Sequence, residues 1–435
     1  MAIALTGGTV IDGTGAQPKP STTIVFEGSK IIEISEKTTF GKDVKVYDVS
    51  GKTIMPGIID THVHFSYWFQ WLISEQKNPI SYMMCETALQ MKRALESGVT
   101  TARDLGGMEI GFVDAQANGI IPGPRMQTSC VIIQPTNGLT DIMPGVGGAI
   151  TPQALTAFLP GLPTPWADGP FAVRAKVREA LRYGAHVIKI ANNAVPWSKP
   201  YLRQDRPLFT REELEAAVDE AHRAGVKVCC HVVGYEDTES TIDAIKAGVD
   251  LIDHGSLLDN ECIDEMVKRK TWYCPMFSIM DFHRSRNPDP LVRPIGEKAF
   301  DLTRKSFQKA VKAGVRVCMG TDAGAETGWQ HHEMALMVDN GMTPMESIVA
   351  STLRGAEAMG METQVGSLEC GKEADLLVVD GDPLKDLRIL GDLKNLLLVM
   401  QAGKPVSGFM SSQFPYEVPE HLQFVGTVRP QKRSW

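Results

Sequence analysis

The sequence lacks the marks of several protein classes. Its eight cysteines show no C-x-x-C spacing, and we interpret most of them as small, buried apolar side chains. The formal net charge of −8 gives no electrostatic reason to expect a nucleic acid or an anionic membrane as a partner. No apolar run approaches the length of a membrane span, and residues 1–6 lack the basic start and apolar stretch of a signal peptide. We therefore expect a soluble, reduced protein in the cytoplasm.

The length and the composition are those of a large folded chain. With 435 residues, of which 43% are hydrophobic, the chain can bury a large core and is too long for one small domain. In its middle part, amphipathic helical patterns alternate with short apolar strands, which is typical of parallel βα units. The clearest helix covers residues 212–221, with Thr210 at its N-cap and Glu213 at the capping-box position. The sequence therefore predicts an α/β fold.

Several predicted strands end at a side chain that can bind a metal. Four times a helical stretch ends at a glycine, and a short apolar strand leads to such a side chain five to eight residues later. These four side chains are Lys189, His231, His254 and Asp322. Upstream, another apolar strand ends in His62 and His64, which point to the same face because strand side chains alternate. Strand ends that each offer a ligand are how a β/α barrel builds a metal site at its rim, so this layout predicts a metalloenzyme.

The two ends of the chain form a second unit in our prediction. Residues 22–26, 30–34 and 44–48 are expected to be strands, and a few hairpins cannot bury an apolar face alone. Strands of the same kind recur only at residues 374–379 and 396–400. We therefore predict a small, discontinuous β-sandwich formed from residues 1–57 and 361–410. A (β/α)8 TIM-type barrel, residues 58–360, is inserted between its parts, and residues 411–435 form a C-terminal tail.

Two segments fit neither unit. Residues 134–170 are rich in Pro, Gly and Thr and are long for a connection, so they form either a functional loop over the barrel mouth or a mobile segment. The C-terminal tail has little pattern, and we expect it to pack on a neighbouring subunit of a homo-oligomer.

The candidate ligands suit a borderline metal such as zinc. Such metals take imidazole and carboxylate ligands, and a catalytic site keeps one position for water. Four histidines and Asp322 suffice for two ions only if a further group bridges them. The ammonium of Lys189 has no acceptor, but reaction with carbon dioxide would give an N-carboxylated lysine whose two oxygens could each hold one ion. The alternatives are an ordinary rim lysine, or a single ion assisted by Asn192 or Asn193.

Short motifs in a fixed order carry a family resemblance. The motifs are residues 56–64 (PGIIDTHVH), 100–105 (TTARDL), 188–190 (IKI), 230–231 (CH), 253–255 (DHG), 320–324 (GTDAG), 366–369 (GSLE) and 371–376 (GKEADL). The ordered set resembles the amidohydrolase superfamily, in the branch that contains imidazolonepropionase-like and prolidase-like hydrolases. The resemblance spans nearly the whole chain, and it implies a metal-dependent hydrolase of amide-type C–N bonds.

The resemblance also implies a role for each ligand. Two divalent ions are expected, zinc first, with Mn²⁺, Co²⁺ or Fe²⁺ as alternatives. The implied ligands are His62, His64 and Asp322 for the first ion and His231 and His254 for the second, with carboxylated Lys189 as the bridge. A hydroxide between the ions would attack the substrate carbonyl, and Asp322 would carry its proton to the leaving nitrogen. His332 matches a histidine that often follows this aspartate in relatives, and it is a second catalytic candidate.

Departures from the relatives bear on the substrate, which we expect to be a small molecule. Val233 and Leu139 stand where many relatives have a polar side chain or a histidine, and a dipeptidase needs such groups because burying an unpaired carboxylate is costly. Tyr67, Trp68 and Trp71 either form flat apolar walls for the substrate or pack as a helix face on the barrel. We therefore expect a largely apolar amide, carbamate or urea. The alternatives are a prolidase-like dipeptidase or N-acyl amino acid hydrolase, and a non-catalytic oligomeric scaffold.

Overall fold

The structure is a computed structural model of the chain. It describes residues 2–66, 80–139, 162–195, 206–287, 289–324 and 328–407. The predicted tail, most of the predicted loop and the aromatic candidates Tyr67, Trp68 and Trp71 lie outside the described residues.

Strands and helices alternate through most of the described chain. The strands are β1 Ala2–Val10, β2 Lys19–Glu27, β3 Lys30–Ser35, β4 Val44–Asp48, β5 Thr53–Pro56, β6 Ile58–Val63, β7 Val99–Asp104, β8 Arg125–Thr128, β9 Ile132–Ile133, β10 Ile188–Ala191, β11 Val228–Val232, β12 Leu251–His254, β13 Trp272–Cys274, β14 Arg316–Val317, β15 Leu376–Val379, β16 Leu396–Gln401 and β17 Lys404–Ser407. The helices are α1 Ile80–Glu96, α2 Ile110–Ala117, α3 Pro170–Arg182, α4 Arg211–Arg223, α5 Glu239–Ala247, α6 Asn260–Arg269, α7 Phe277–Ser285, α8 Val292–Ala313, α9 Gln330–Asp339, α10 Pro344–Ala350, α11 Leu353–Met359 and the 3₁₀ helix Leu387–Gly391. Among them, no helix combines the length and the apolarity that crossing a bilayer requires.

One sheet joins the two ends of the chain. Its strand order is β17-β16-β15-β5-β1-β2-β3, with β4 paired to β1. The ends meet where β15 runs antiparallel to β5, with Val378 opposite Ile54. Apolar side chains from both ends, among them Leu5 and Leu398, form a core of their own. The pairing of the two ends is as expected, while the sandwich architecture and the domain boundaries stay predictions.

The other two sheets are parallel and confirm the α/β class. One has the order β6-β7-β8, and the other has the order β14-β13-β12-β11-β10-β9. Strands β10 to β12 are buried along their whole length, as strands are when helices cover a parallel sheet. The amides of Asp322 and His64 donate to the carbonyls of His62 (2.8 Å) and Ala323 (2.7 Å). These bonds bring β6 beside the segment that follows β14.

Helix α4 shows how the local sequence sets the element that leads into β11. The Thr210 hydroxyl accepts from the Glu213 amide, and the Glu213 carboxylate accepts from the Thr210 amide at 2.7 Å, which completes the predicted capping box. The same carboxylate accepts from the Gly169 amide at 2.6 Å and thereby links α4 to the start of α3. Gly225, with φ of 73°, then turns the chain towards β11.

Candidate metal centre

The ligand cluster begins with the two histidines of β6 and the aspartate that follows β14. The Nε2 atoms of His62 and His64 lie 3.2 Å apart, and the Oδ1 atom of Asp322 lies 3.4 Å from the first and 3.2 Å from the second. These atoms form a compact group that could hold one metal ion. Strand alternation placed the histidines on one face, as expected. The structure therefore brings together the three side chains that the resemblance assigned to the first ion.

The outer ring nitrogens show that these residues fit a cation. Nδ1 of His62 lies 2.8 Å from a carboxylate oxygen of Asp253, and Nδ1 of His64 lies 3.1 Å from the carbonyl oxygen of Gly106. Both partners are acceptors, so each Nδ1 carries its hydrogen and each Nε2 directs a lone pair at Asp322. The two Nε2 atoms and Oδ1 of Asp322 make three close contacts with one another. A single proton can bridge only one of these contacts, whereas a divalent cation can bind all three atoms. Two imidazole nitrogens and one carboxylate oxygen are a donor set that suits zinc.

His231 and His254, at the ends of β11 and β12, lie beside this cluster. Their rings pack with centroids 4.5 Å apart, and the His254 ring lies 5.7 Å from that of His62. Burial lowers the pKa of His254 to about 3, and burial, with the nearby His254 and Lys189, holds the pKa of His231 well below its usual value. Both imidazoles are therefore neutral at pH 7, which is the form that binds metal. One nitrogen of each ring is buried without a hydrogen-bond partner among the described residues.

Lys189 lies inside the centre and contacts a carboxylate that the sequence did not single out. Its side chain is 1% exposed, and its ammonium donates to Oδ2 of Asp253, which is 0% exposed. The other oxygen of Asp253 holds His62. Burial alone would raise the pKa of Asp253, but Lys189 and His62 hold it well below its usual range. Asp253 was missed although a carboxylate in an otherwise apolar strand must find a partner, which is a signal that the sequence does contain.

A second carboxylate fixes the segment that carries Asp322. Asp60 accepts from the amide of Thr321 at 3.1 Å and from its hydroxyl at 2.7 Å. Asp322 has a left-handed backbone, with φ of 57°, a strained conformation that persists only when its surroundings hold it. Burial would raise the pKa of Asp322, but the close contacts with His62 and His64 keep it well below its usual value. The carboxylate is thus an anion held in place against two imidazoles.

His332, the second catalytic candidate, has a different partner. Its Nε2 lies 3.0 Å from the Oδ2 of Asp281 on α7, and its side chain is 37% exposed. The adjacent Glu333 is buried and accepts from the amides of Phe277 (2.9 Å) and Ser278 (2.6 Å) at the start of α7. The Ser278 hydroxyl donates to the carbonyl of Thr321. Helix α7 therefore connects the start of α9 to the Asp322 segment, a link that the sequence did not reveal.

The predicted substrate contacts are only partly within the described chain. Val233 is fully buried, and its amide donates to the Asn193 side chain at 3.0 Å. Leu139 is half-buried at the last described position before residue 162. The roles of both residues in substrate binding stay predictions.

Comparisons with known proteins identify the family of the chain. Residues 53–406 match the amidohydrolase family. The chain is 31% identical over 374 residues to ochratoxinase of Aspergillus niger, covering 82% of this chain and 76% of that protein. It superposes on a Xaa-Pro dipeptidase with bound methionine in its active site (TM-score 0.81, 29% identity, 94% of this chain and 100% of that one). It also superposes on a prolidase complexed with N-methylphosphonate-L-proline (TM-score 0.85, 26% identity, 94% and 100%). This chain belongs to the amidohydrolase family.

Proposed function

We propose that the protein is a metal-dependent hydrolase that cleaves an amide-type C–N bond of a small, largely apolar amide, carbamate or urea. The observation that carries the proposal is the convergence of His62, His64 and Asp322 on one point, with both outer ring nitrogens already engaged. The bound ions, zinc first among candidates, would polarise the substrate carbonyl and lower the pKa of a water.

The fold that supports this site is a closed (β/α)8 barrel. Strand β8 pairs with β7 and β9 pairs with β10, so we interpret these two short strands as parts of one barrel strand. Strands β6 to β14 then supply eight barrel strands. The hydrogen bonds between β6 and residues 319–323 support closure between the first and the last. The candidate ligands would all lie at the rim where amidohydrolase-type chemistry is expected of such a barrel.

Two ions would require a bridge, and Lys189 is our candidate for it. Asp253 contacts both Lys189 and His62, and the positive charge of Lys189 helps to lower the pKa of both His231 and His254. To react with carbon dioxide the amine must first give up its proton, because only the free amine has a lone pair for the new N–C bond. In this proposal Asp253 pairs with the unmodified Lys189, and the carboxylated Lys189 side chain would supply the bridging ligand for the two ions.

Asp322 is the group that moves the proton. Its carboxylate is 18% exposed, more than His62 and His64, so substrate and water can reach it. It would take a proton from the attacking water and deliver it to the leaving nitrogen, which an amine needs in order to depart. The bond that breaks is the C–N bond of the substrate. One product is an amine, and the other is a carboxylic acid from an amide, a carbamic acid from a urea, or a carbonic acid monoester from a carbamate. His332, paired with Asp281, is the second candidate for this transfer.

The substrate has two candidate classes. Val233 and Leu139 are aliphatic where a clamp for a free carboxylate would be expected, which favours a neutral amide, carbamate or urea. The likeness to a Xaa-Pro dipeptidase and a prolidase favours a dipeptide or an N-acyl amino acid instead. A matched pair separates them, because N-acetylleucine and N-acetyl-3-methylbutylamine differ only in the free carboxylate.

The test is kcat/KM on such pairs together with Xaa-Pro dipeptides, anilides, carbamates and ureas. We expect the neutral member of each pair to be hydrolysed at least ten times more efficiently than the acid. The reverse preference would replace the proposed substrate class by the alternative while leaving the reaction class intact. A protein that is fully loaded with metal and hydrolyses none of these compounds would instead fit a non-catalytic scaffold.

A further inference from the structure

A cavity of about 730 Å³ lies at the opposite ends of the strands from the metal centre. Lys227 directly precedes β11, residues 248–250 precede β12, Thr271 precedes β13, and Arg316 begins β14. His231 and His254, by contrast, stand at the carboxyl ends of β11 and β12. The cavity is therefore distinct from the proposed catalytic site, and its volume falls in the range of small-molecule pockets.

The lining of this cavity is basic although the whole chain is acidic. Its charged side chains are Lys227, Arg269, Lys270, Arg316 and Arg354, against Asp250, Glu357 and Glu362. With His222 neutral, the cavity carries a net charge of +2 in a chain whose net charge is −8. A concave surface of one sign concentrates ligands of the opposite sign.

Two of the three carboxylates are already engaged. Oδ2 of Asp250 accepts from Nε2 of His222 and from the amide of Val228, both at 2.8 Å. Glu357 pairs with Arg354 at 2.7 Å. Asp250 thus holds the start of β11 and Glu357 holds Arg354, and among the described residues neither carboxylate forms an ion pair with Lys227 or Arg316. Charge interactions over longer distances reach Lys227 from Asp250 and Glu362, and Arg316 from Glu357 and Asp250.

The inner cations are Arg316 and Lys227. The guanidinium of Arg316 lies 4.4 Å from the ring centre of Trp272, and its Nε is buried without a hydrogen-bond partner among the described residues. The ammonium of Lys227 donates to two backbone carbonyls, at 2.8 and 3.1 Å, which are neutral acceptors. Burial lowers the pKa of both groups. Buried N–H donors rarely stay unpaired, so the Nε of Arg316 is available to bind an acceptor on a ligand.

A third cation is held at the cavity at a conformational cost. Lys270 ends α6 with φ of 59°, a left-handed conformation in which glycine is the usual residue. A glycine at position 270 would end helix α6 with less backbone strain than the lysine does. Its side chain adds a further ammonium to the lining.

We infer that this cavity is a binding site for a small organic phosphate. The planar guanidinium of Arg316 offers parallel N–H donors to two oxygens of a phosphoryl group, and the ammonium groups of Lys227 and Lys270 supply point charges around it. Because the cavity is larger than one phosphoryl group, it accommodates an organic portion beside Trp272. The site stands apart from the metal ligands, so it binds its ligand whether or not the centre holds metal.

The experiment uses the full chain stripped of metal, so that phosphate cannot bind at the histidine cluster. Glycerol phosphate is titrated at constant ionic strength while the melting temperature and the tryptophan fluorescence are followed, with sodium chloride as the reference. We expect saturable stabilisation of the wild-type protein and a quenching or shift of the fluorescence of Trp272. Trp272→Phe removes the fluorescence change and keeps the stabilisation.

Variants decide whether the cavity is responsible. Arg316→Met should weaken binding at least tenfold. Lys227→Met should have the same effect, and it replaces Arg316→Met in the test if that variant fails to fold. The matched control is Arg269→Met, because Arg269 lines the same cavity but is exposed and paired with Glu265, so its affinity should stay within threefold of the wild type. No saturable effect on the wild-type protein, or equal affinity in Arg316→Met or Lys227→Met and the wild type, would overturn the inference.

Discussion

The replacement Asp253→Asn tests how the centre is held together. The substitution keeps the size of the side chain but removes the charge between Lys189 and His62. An amide has one oxygen, so only one of the two donors keeps an acceptor and the other meets an N–H group. The ammonium of Lys189, 1% exposed, then loses its anionic partner.

The size of the effect follows from the burial. Breaking a buried ion pair on one side costs about 3–5 kcal/mol, because the remaining charge stays out of water. We therefore expect the metal-free variant to lose about 3 kcal/mol of unfolding free energy at pH 7, or less if Lys189 becomes neutral. Loss of the group that orients His62 should also weaken metal binding by roughly 10- to 100-fold.

Two assays measure these effects, and a nearby aspartate provides the control. Urea denaturation of the metal-free proteins gives the change in unfolding free energy, and competition with a chelator gives the metal affinity. Asp250→Asn, three residues earlier, removes a partly exposed pair with His222 and should change stability by about 1 kcal/mol or less with no effect on metal affinity. If Asp253→Asn matched Asp250→Asn in both assays, Asp253 would not support the centre.

Three further predictions concern single side chains. Asp322→Asn should keep most of the metal but lower kcat by roughly 10²–10⁴-fold; near-normal turnover would assign the proton transfer to His332. Lys189→Ala should be inactive and partly rescued by short carboxylic acids, and ¹³C NMR with labelled carbon dioxide should show a carbamate signal that this variant lacks; an unmodified lysine in a protein holding both ions would refute the bridge. Burial raises the pKa of Glu333 from 4.5 to about 7. The protonated carboxyl of Glu333 therefore stabilises the fold fully below about pH 4.5, and this stabilisation is lost as the pH rises through about 7. Between about pH 5 and 7 the unfolding free energy of the wild type should fall by up to about 3 kcal/mol more than that of Glu333→Gln. Equal pH slopes for the two proteins would contradict this.

The sequence predicted the features that depend on local pattern. Strand alternation placed His62 and His64 on one face, and the capping box at Thr210 and Glu213 was recognised from its spacing. Pairing between the chain ends followed from the need of each hairpin set for a partner. In the first two cases a short run of residues contains the physical cause, whereas the pairing of the chain ends was inferred from where strands of the same kind recur.

The contacts that depend on distant pairing were not accessible from the sequence. Asp253 reaches His62 across 191 positions and Lys189 across 64, and no local pattern specifies either partner. The same holds for the buried Arg103, whose Nε donates to the carbonyl of Thr61 on the neighbouring strand.

The most direct test of the central claim is the metal content per chain. We expect the protein as isolated to contain close to two divalent ions per chain, with zinc as the first candidate, as measured by elemental mass spectrometry. His64→Ala should lose metal and turnover together, whereas His222→Ala, which changes an exposed histidine paired with Asp250, should keep both. Full activity after verified removal of all metal, or an unchanged metal content in His64→Ala, would contradict the account.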